Sequence, residues 1–183
     1  FGLSEAEART ASPEAYQRVL DRVRPERQQN PRKAYRDRWW LFGEARAGMR
    51  HAVSGLSRFV VTARTAKFRV FQFVEGRSLV DSNVIAVATE DAAVLGVLSS
   101  RVHLSWALAA GATLEDRPHY TPTTTFAPFP FPPQPLFEQA RIRGAGECLD
   151  RHRKAQQAKH ADLTITGMYN VLDKVRGGET LTE

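Results

Sequence analysis

One cysteine, Cys148, stands in 183 residues. A lone thiol cannot close an internal disulfide, which excludes a secreted disulfide scaffold and fits a reducing cytoplasm. No signal peptide opens the chain, and no run of about 18 apolar residues appears. The longest candidate, "AAVLGVLSSRVHLSWALAAG", is interrupted by Arg101 and His103, so no membrane span is expected. Glycine-rich turns of the kind that cradle phosphates or nucleotide cofactors are missing. No histidine or cysteine pair has metal-ligand spacing, because His152 and His160 are separated by two turns of a polar helix. Clustered carboxylates for two-metal chemistry are missing too. His119 lies near Asp116 and Arg117, but no nucleophile accompanies them in sequence. A free-standing enzyme is therefore poorly supported, and a binding module is well supported. The first residue is Phe1 rather than Met, which suggests a piece of a longer chain with its chemistry elsewhere.

Acidic balance is also missing. The formal net charge is +6 and the sequence pI about 9.9, a footprint shared by nucleic-acid binders and by proteins with merely basic surfaces. With 42% hydrophobic and 25% charged residues, the chain can still bury a substantial core.

Helix signals stand at both ends. Ser12 and Pro13 start a helix whose stripe is Tyr16, Val19, Leu20 and Val23, and Pro25 is expected to stop it. The basic stretch "ERQQNPRKAYRDRWWLFG" follows as a linker with a short helix, docked by its aromatics. From Ser57 to about Thr89, "RFVVTA", "KFRVFQFV" and "SNVIAVAT" carry the β-branched and aromatic residues of strands. Thr89 is placed to cap one long buried helix ending at Gly111. Its successor "RPHYTPTTTFAPFPFPP" is expected to be extended because of its prolines and threonines. A helix from about Gln134, weakened by Gly144 and Gly146, and a short one through "GMYNVLDKVR" complete the chain. The sum predicts an α+β fold: a small mixed sheet on a long buried helix, with helices at both termini. Three regions follow: a helical linker over 1–45, a recognition domain over 46–133 and a C-terminal helical segment over 134–183.

The stretch "SRFVVTARTAKFRVFQFV" holds Arg58, Arg64, Lys67 and Arg69 and no acid. Paired as strands, its apolar runs put Phe59, Val61 and Ala63 on one face and Arg58, Thr62 and Arg64 on the other. Arg64, Thr65, Lys67 and Arg69 then gather at the joining tip. Burying such cations without partners costs several kcal/mol, so the tip must be wet or meet a polyanion. A β-ribbon tip fits the major groove of DNA, and a guanidinium matches phosphate or guanine. The same pattern also serves as a solvated edge protected against aggregation. Arg117, His119, Tyr120 and the threonines Thr121 to Thr125 add donors in a second segment, and "RPERQQNPRKAYRDRWW" adds a basic strip.

The fragments "RVRPERQQNPRKAYRDRWWLFGEAR", "SRFVVTARTAKFRVFQF", "LGVLSSRVHLSWALAAGATL" and "YTPTTTFAPFPFP", in this order, resemble the target-recognition region of MmeI-like DNA methyltransferases. "RIRGAGECLDRHRKAQQ" and "LTITGMYNVLDKVR" resemble that family's C-terminal helices. The resemblance runs from about Tyr16 to Arg176. It implies a parent that uses S-adenosylmethionine to methylate the exocyclic amine of adenine at a short DNA sequence, some members also carrying a nuclease. The Asn-Pro-Pro-aromatic catalytic motif is not present, since "NPRKAY" at Asn30 lacks the second proline, and neither is a cofactor loop. The resemblance thus implies that this piece reads double-stranded DNA beside an upstream methyltransferase domain in the same chain, and neither binds the cofactor nor transfers methyl. Trp39, Trp40, Phe42, Trp106, Phe129 and Phe131 become scaffold. Arg64, Thr65, Lys67, Arg69, Arg117, His119, Tyr120, Thr123, Thr124 and Thr125 become candidate base readers, and Arg58, Arg32, Lys33 and Arg36 candidate phosphate contacts. The loop "GATLEDRPHY" is shorter than the family pattern leads one to expect. The alternative is a protein-interaction module that positions a methyltransferase on a partner.

Overall fold

The computed structural model describes residues 2–43, 46–114, 117–132 and 139–178. The chain divides into two compact units, Phe1–His51 and Ala52–Glu183. The sequence boundaries placed after residues 45 and 133 fall on residues outside those described.

The first unit is helical: α1 (Glu5–Ala11), α2 (Pro13–Arg22), α3 (Arg24–Gln28) and α4 (Lys33–Asp37). Ser4 and Glu7 close a reciprocal cap on α1, with Ser4 N donating to Glu7 Oε2 at 2.7 Å and Glu7 N to Ser4 Oγ at 3.3 Å. Tyr16, Val19, Leu20 and Val23 form the half-buried stripe of α2, and Tyr16 meets the buried Trp39 at 5.6 Å between ring centres. Pro25 does not end the helical path. It occupies the first turn of α3, where its missing N–H is not needed. α5 (Ala47–Val53) leads into the second unit.

The second unit is built on a three-stranded antiparallel sheet in the order β2-β1-β3, where β1 is Arg58–Ala63, β2 Gln72–Glu75 and β3 Val84–Val87. Register pairs Arg58 with Glu75 and Val61 with Gln72 on one side, and Val60 with Val87 and Ala63 with Val84 on the other. As the central strand, β1 is buried on both faces, from Phe59 through Thr62. The simple alternation of wet and dry faces expected of a two-stranded ribbon therefore does not hold.

The long helix expected after Thr89 is two helices, α6 (Ala92–Leu98) and α7 (Arg101–Ala110), bent by 58°. Asp91 caps α6 through Ala93 N at 2.8 Å, while Thr89 accepts from Asp91 N at 3.1 Å. Ser100 caps α7 through His103 N at 3.2 Å, and Gly111 closes it as expected. A serine side chain that satisfies the first orphan N–H groups of a new helix makes the break inexpensive. α6 is buried, whereas α7 exposes Val102 and Leu108. Among the described residues no single helix is long and apolar enough to cross a membrane.

β4 (Ala112–Leu114) and β5 (Arg117–His119) form a second, antiparallel sheet. The segment beyond, expected to be extended, makes a π-helical turn over Pro122–Phe126. Pro122 suits a first turn, and Thr121 Oγ1 accepts from Thr124 N at 3.1 Å. The aromatics beyond the turn serve as scaffold, packed on α7: Phe129 stands edge-on to His103 at 4.4 Å and to Phe131 at 4.9 Å. Val60, Phe71, Phe73, Ile85, Leu95, Leu98 and Tyr120 form the core between sheet and helices.

α8 (Gln139–Lys159) covers this core and α9 (Ile165–Arg176) follows it. α8 also satisfies the outer edge of the sheet. Asp150 Oδ1 accepts from Phe73 N at 3.0 Å, and Arg153 Nη1 donates to Phe71 O at 2.8 Å while its other amine bonds the Tyr169 hydroxyl. An edge strand capped this way offers no template for a further strand.

The two glycines of α8 have opposite meanings. A Cβ on Gly146 would lie 2.1 Å from Ala92 O, and one on Gly96 would lie 2.8 Å from Ile142 O, so α6 and α8 pack backbone against backbone. A Cβ on Gly144 meets nothing within 4 Å. Gly144→Ala should therefore raise the unfolding free energy by about 0.5–1 kcal/mol through helix propensity. Gly146→Ala should lower it by about 1–3 kcal/mol, because the helices must separate. Urea unfolding of the two variants checks this, and equal effects would contradict the packing.

Candidate nucleic-acid interface

β1 does not end in a free hairpin tip. Beyond Ala63 the chain crosses between two neighbours: Arg64 N donates to Asn83 O at 2.6 Å, and Tyr120 N donates to Arg64 O at 2.7 Å. Ala66 N reaches Pro118 O at 3.4 Å, and Thr65 forms a single antiparallel bridge with His119. The tip and the second candidate segment, far apart in sequence, are thus stitched into one surface. At its centre Thr65 Oγ1 and His119 Nδ1 are 2.9 Å apart.

Around that pair lie further cations, and Arg64 and Lys67 are held by neutral acceptors. Arg64 Nε donates to Ser82 O at 3.2 Å. Exposed Lys67 donates to Asn170 Oδ1 at 2.7 Å and lies 4.8 Å from the Phe68 ring centre. Arg117 is exposed on β5. Thr123 and Thr124 are exposed on the π turn, where the Thr121 and Thr124 hydroxyls share a 2.5 Å bond. Asn170, Ser82 and Asn83 border this surface and carried no signal in the sequence, being polar residues chosen by contacts across the fold.

Four other candidates are spent inside the protein. Arg69 donates to Thr62 Oγ1 at 3.2 Å, Arg64 O at 3.4 Å, Pro118 O at 3.0 Å and Ala63 O, and its guanidinium lies 5.0 Å from the Tyr120 ring centre. Burial pushes its pKa down to about 10. Tyr120 is buried with its hydroxyl 2.9 Å from His103 Nε2, and burial raises its pKa. Thr125 is buried, its carbonyl accepting from Trp106 Nε1 at 2.9 Å. Arg58 forks onto Glu147, with Nη1 to Oε2 at 3.0 Å, and stacks 3.9 Å from the Phe73 ring centre. The hydrogen bond to Glu147 raises the Arg58 pKa, and the reciprocal bond lowers that of Glu147. The base-reading expectation for Arg69, Tyr120 and Thr125, and the phosphate expectation for Arg58, are corrected accordingly: each already has its partners within the fold.

In the first unit Lys33 opens α4 in the exposed state, while Arg36 Nη1 donates to Asn30 O at 2.6 Å and Pro31 O at 2.9 Å. Arg32 belongs to a cleft of about 480 Å³ lined by Arg27, Arg32, Ala34, Tyr35, Arg38, Leu41, Phe42 and Gly43.

The sequence profile of the MmeI target recognition domain matches residues 3–133. No curated protein matches. Among solved structures the chain is similar to one described as a Type IIL restriction-modification enzyme, MmeI, in complex with DNA. The two are 18% identical with a TM-score of 0.70, over 92% of this chain and 22% of that one. That likeness establishes the fold, and the chain spans less than a quarter of the protein it resembles.

Proposed function

The chain belongs to the MmeI target-recognition domain family, and on that premise we propose that it reads a short sequence in double-stranded DNA for a restriction–modification enzyme. The observation that carries the proposal is the Thr65–His119 junction, which brings the segment of Arg64 and Lys67 against that of Arg117 and the exposed threonines. The Arg64 guanidinium and the Lys67 ammonium, held by neutral acceptors, keep their charge for phosphate. Threonine hydroxyls and the imidazole supply donors and acceptors that suit base edges. Arg64, Thr65, Lys67, Arg117, His119, Thr123 and Thr124 are the proposed contacts, and Arg32, Lys33 and Arg36 add phosphate contacts from the first unit.

The chemistry belongs to an upstream domain in this proposal. That domain would bind S-adenosylmethionine and methylate the amine of a flipped adenine. The present residues do not fit the cofactor. The sequence has no glycine-rich turn, and the described cleft is lined by three arginines, a poor seat for a sulfonium cation. The exposed thiol of Cys148 suits the reducing cytoplasm proposed as its location.

A protein-interaction reading has one observation in its favour: Val102 and Leu108 are 72% and 62% exposed on α7. Salt separates the two. Duplex affinity should fall steeply as salt rises, in proportion to the phosphates neutralised, whereas an apolar contact should hold. Arg64→Ala and Lys67→Ala should each weaken duplex binding by about 1–3 kcal/mol where a base edge is read, and by less where only phosphate is touched. Folded variants with unchanged duplex affinity, measured by anisotropy at low salt, would overturn the assignment.

A further inference from the structure

We propose that the cleft of the first unit is a seat for a phosphate group. Three guanidinium groups line it, from Arg27, Arg32 and Arg38, and no carboxylate does so among the described residues. Arg27 and Arg32 lie 4.7 and 5.7 Å from the ring centre of Tyr35. Stacking on an aromatic ring fixes the guanidinium forks while leaving their N–H groups free to donate. Arg27 Nη1 is buried without a hydrogen-bond partner. A cationic donor in that state is costly unless something fills its acceptor position. The neighbouring Arg36 shows the contrast, because its amine is satisfied by two backbone carbonyls.

The cleft is also shaped by sequence. A Cβ on Gly43 would stand 2.0 Å from Tyr35 Cε1, so the chain lies flush against the ring, and a side chain there would push the ring aside. Its volume falls within the range of small-ligand sites. A tetrahedral oxyanion has enough acceptor positions to take several guanidinium forks at once, which a chloride or a single carboxylate lacks. Two sources share that chemistry: a backbone phosphodiester of nucleic acid and the phosphate of a free nucleotide. The inference stands on the cleft and does not require that the second unit reads DNA.

The test uses the whole chain and follows arginine Nε–H resonances during titration with inorganic phosphate, against chloride at matched ionic strength. The signals of Arg27, Arg32 and Arg38 should move together along one saturating curve. Arg38→Gln should weaken phosphate about tenfold or more, the loss of one charge-assisted hydrogen bond. Arg22→Gln, an equal loss of charge on the exposed side of α2, should change nothing. Arg32→Lys, which keeps the charge and loses the fork, serves if Arg38→Gln does not fold. Curves that never saturate, chloride acting equally, or Arg22→Gln matching Arg38→Gln would each overturn the seat. AMP and a short duplex then distinguish the sources: whichever moves these three signals at the lower concentration is the proposed ligand. A failed phosphate titration would remove Arg32 from the proposed phosphate contacts but leave duplex binding through Arg64 and Lys67 untouched, so the cleft and the reading surface are tested separately.

Discussion

Arg69→Met should lower the unfolding free energy by about 3 kcal/mol, and any loss of DNA binding should follow from that instability. Two terms compete. Burial drives the Arg69 pKa well below the usual arginine range, to about 10, a cost of roughly 3 kcal/mol for holding the charge inside. Against it stand hydrogen bonds to Thr62, Ala63, Arg64 and Pro118, each worth about 1.5–3 kcal/mol when the donor is charged. The bonds win, and they tie β1 and its extension to β5. Methionine relieves the charge but takes the guanidinium from the buried Thr62 Oγ1 and unties Ala63 O, while Arg64 O and Pro118 O keep Tyr120 N and Ala66 N. Arg69→Lys should recover little, because one ammonium cannot span the acceptors of a planar fork. Urea unfolding decides the matter. A methionine variant as stable as the parent, with duplex binding lost, would return Arg69 to the recognition surface.

Arg69 shows where the sequence stops being informative. Its cationic run was visible, and so was the conflict between charge and apolar surroundings. What resolves the conflict is a set of carbonyls from Ala63, Arg64 and Pro118 that no local pattern announces. Arg58 is the same case, with Glu147 brought to it by α8. Strands were legible because β-branched and aromatic runs between polar turns have few other uses: β1 and β3 fall within the predicted segments, while β2 takes up only the end of "KFRVFQFV" and runs on to Glu75. The start at Ser12–Pro13 was legible from the proline of the first turn, although the Ser12 side chain makes no cap bond, and the stop at Gly111 from its glycine. The break between α6 and α7 was not, since the pair Ser99–Ser100 inside a mostly apolar stretch does not announce that one of its hydroxyls caps a new helix. Nor was the π turn, because proline and threonine forbid a helix interior but also start helices well.

The site was half legible for the same reason. Thr65 and His119 were both singled out, yet their meeting depends on the extension of β1 reaching β5. The fold thus divides one cationic cluster into two parts with different work. Arg64 and Lys67 stay at the surface, and Arg69 becomes the cross-link that holds that surface in place.

The second large effect is a loss of stability in mild acid, carried by His103. Its side chain is fully buried beneath Phe129 and Phe71, at 4.4 and 5.4 Å between ring centres. Nε2 is 2.9 Å from the Tyr120 hydroxyl, and Nδ1 has no partner. A proton on the ring would create a buried cation near Arg69 with one N–H unsatisfied. Burial first, and Arg69 second, push the pKa from 6.5 down to about 4. The unfolded chain therefore takes up a proton at His103 near pH 6.5 while the folded chain refuses it until about pH 4. Stability from this group is complete above the upper value, falls through the interval, and levels off below the lower one, for a total of about 3 kcal/mol. Asp91 and Glu147, whose pKa values are lowered by bonds to Arg143 and Arg58, act in the same direction but only once the pH reaches the ordinary carboxylate range. Between roughly pH 6.5 and 5 the slope belongs to histidine chemistry, and His103→Gln should flatten most of it. Denaturant midpoints measured across that interval test the point. A parent protein whose midpoint stays level from pH 7 to about 5, or a glutamine variant that keeps the parent's slope, would show that the core admits the proton and that His103 is not sealed.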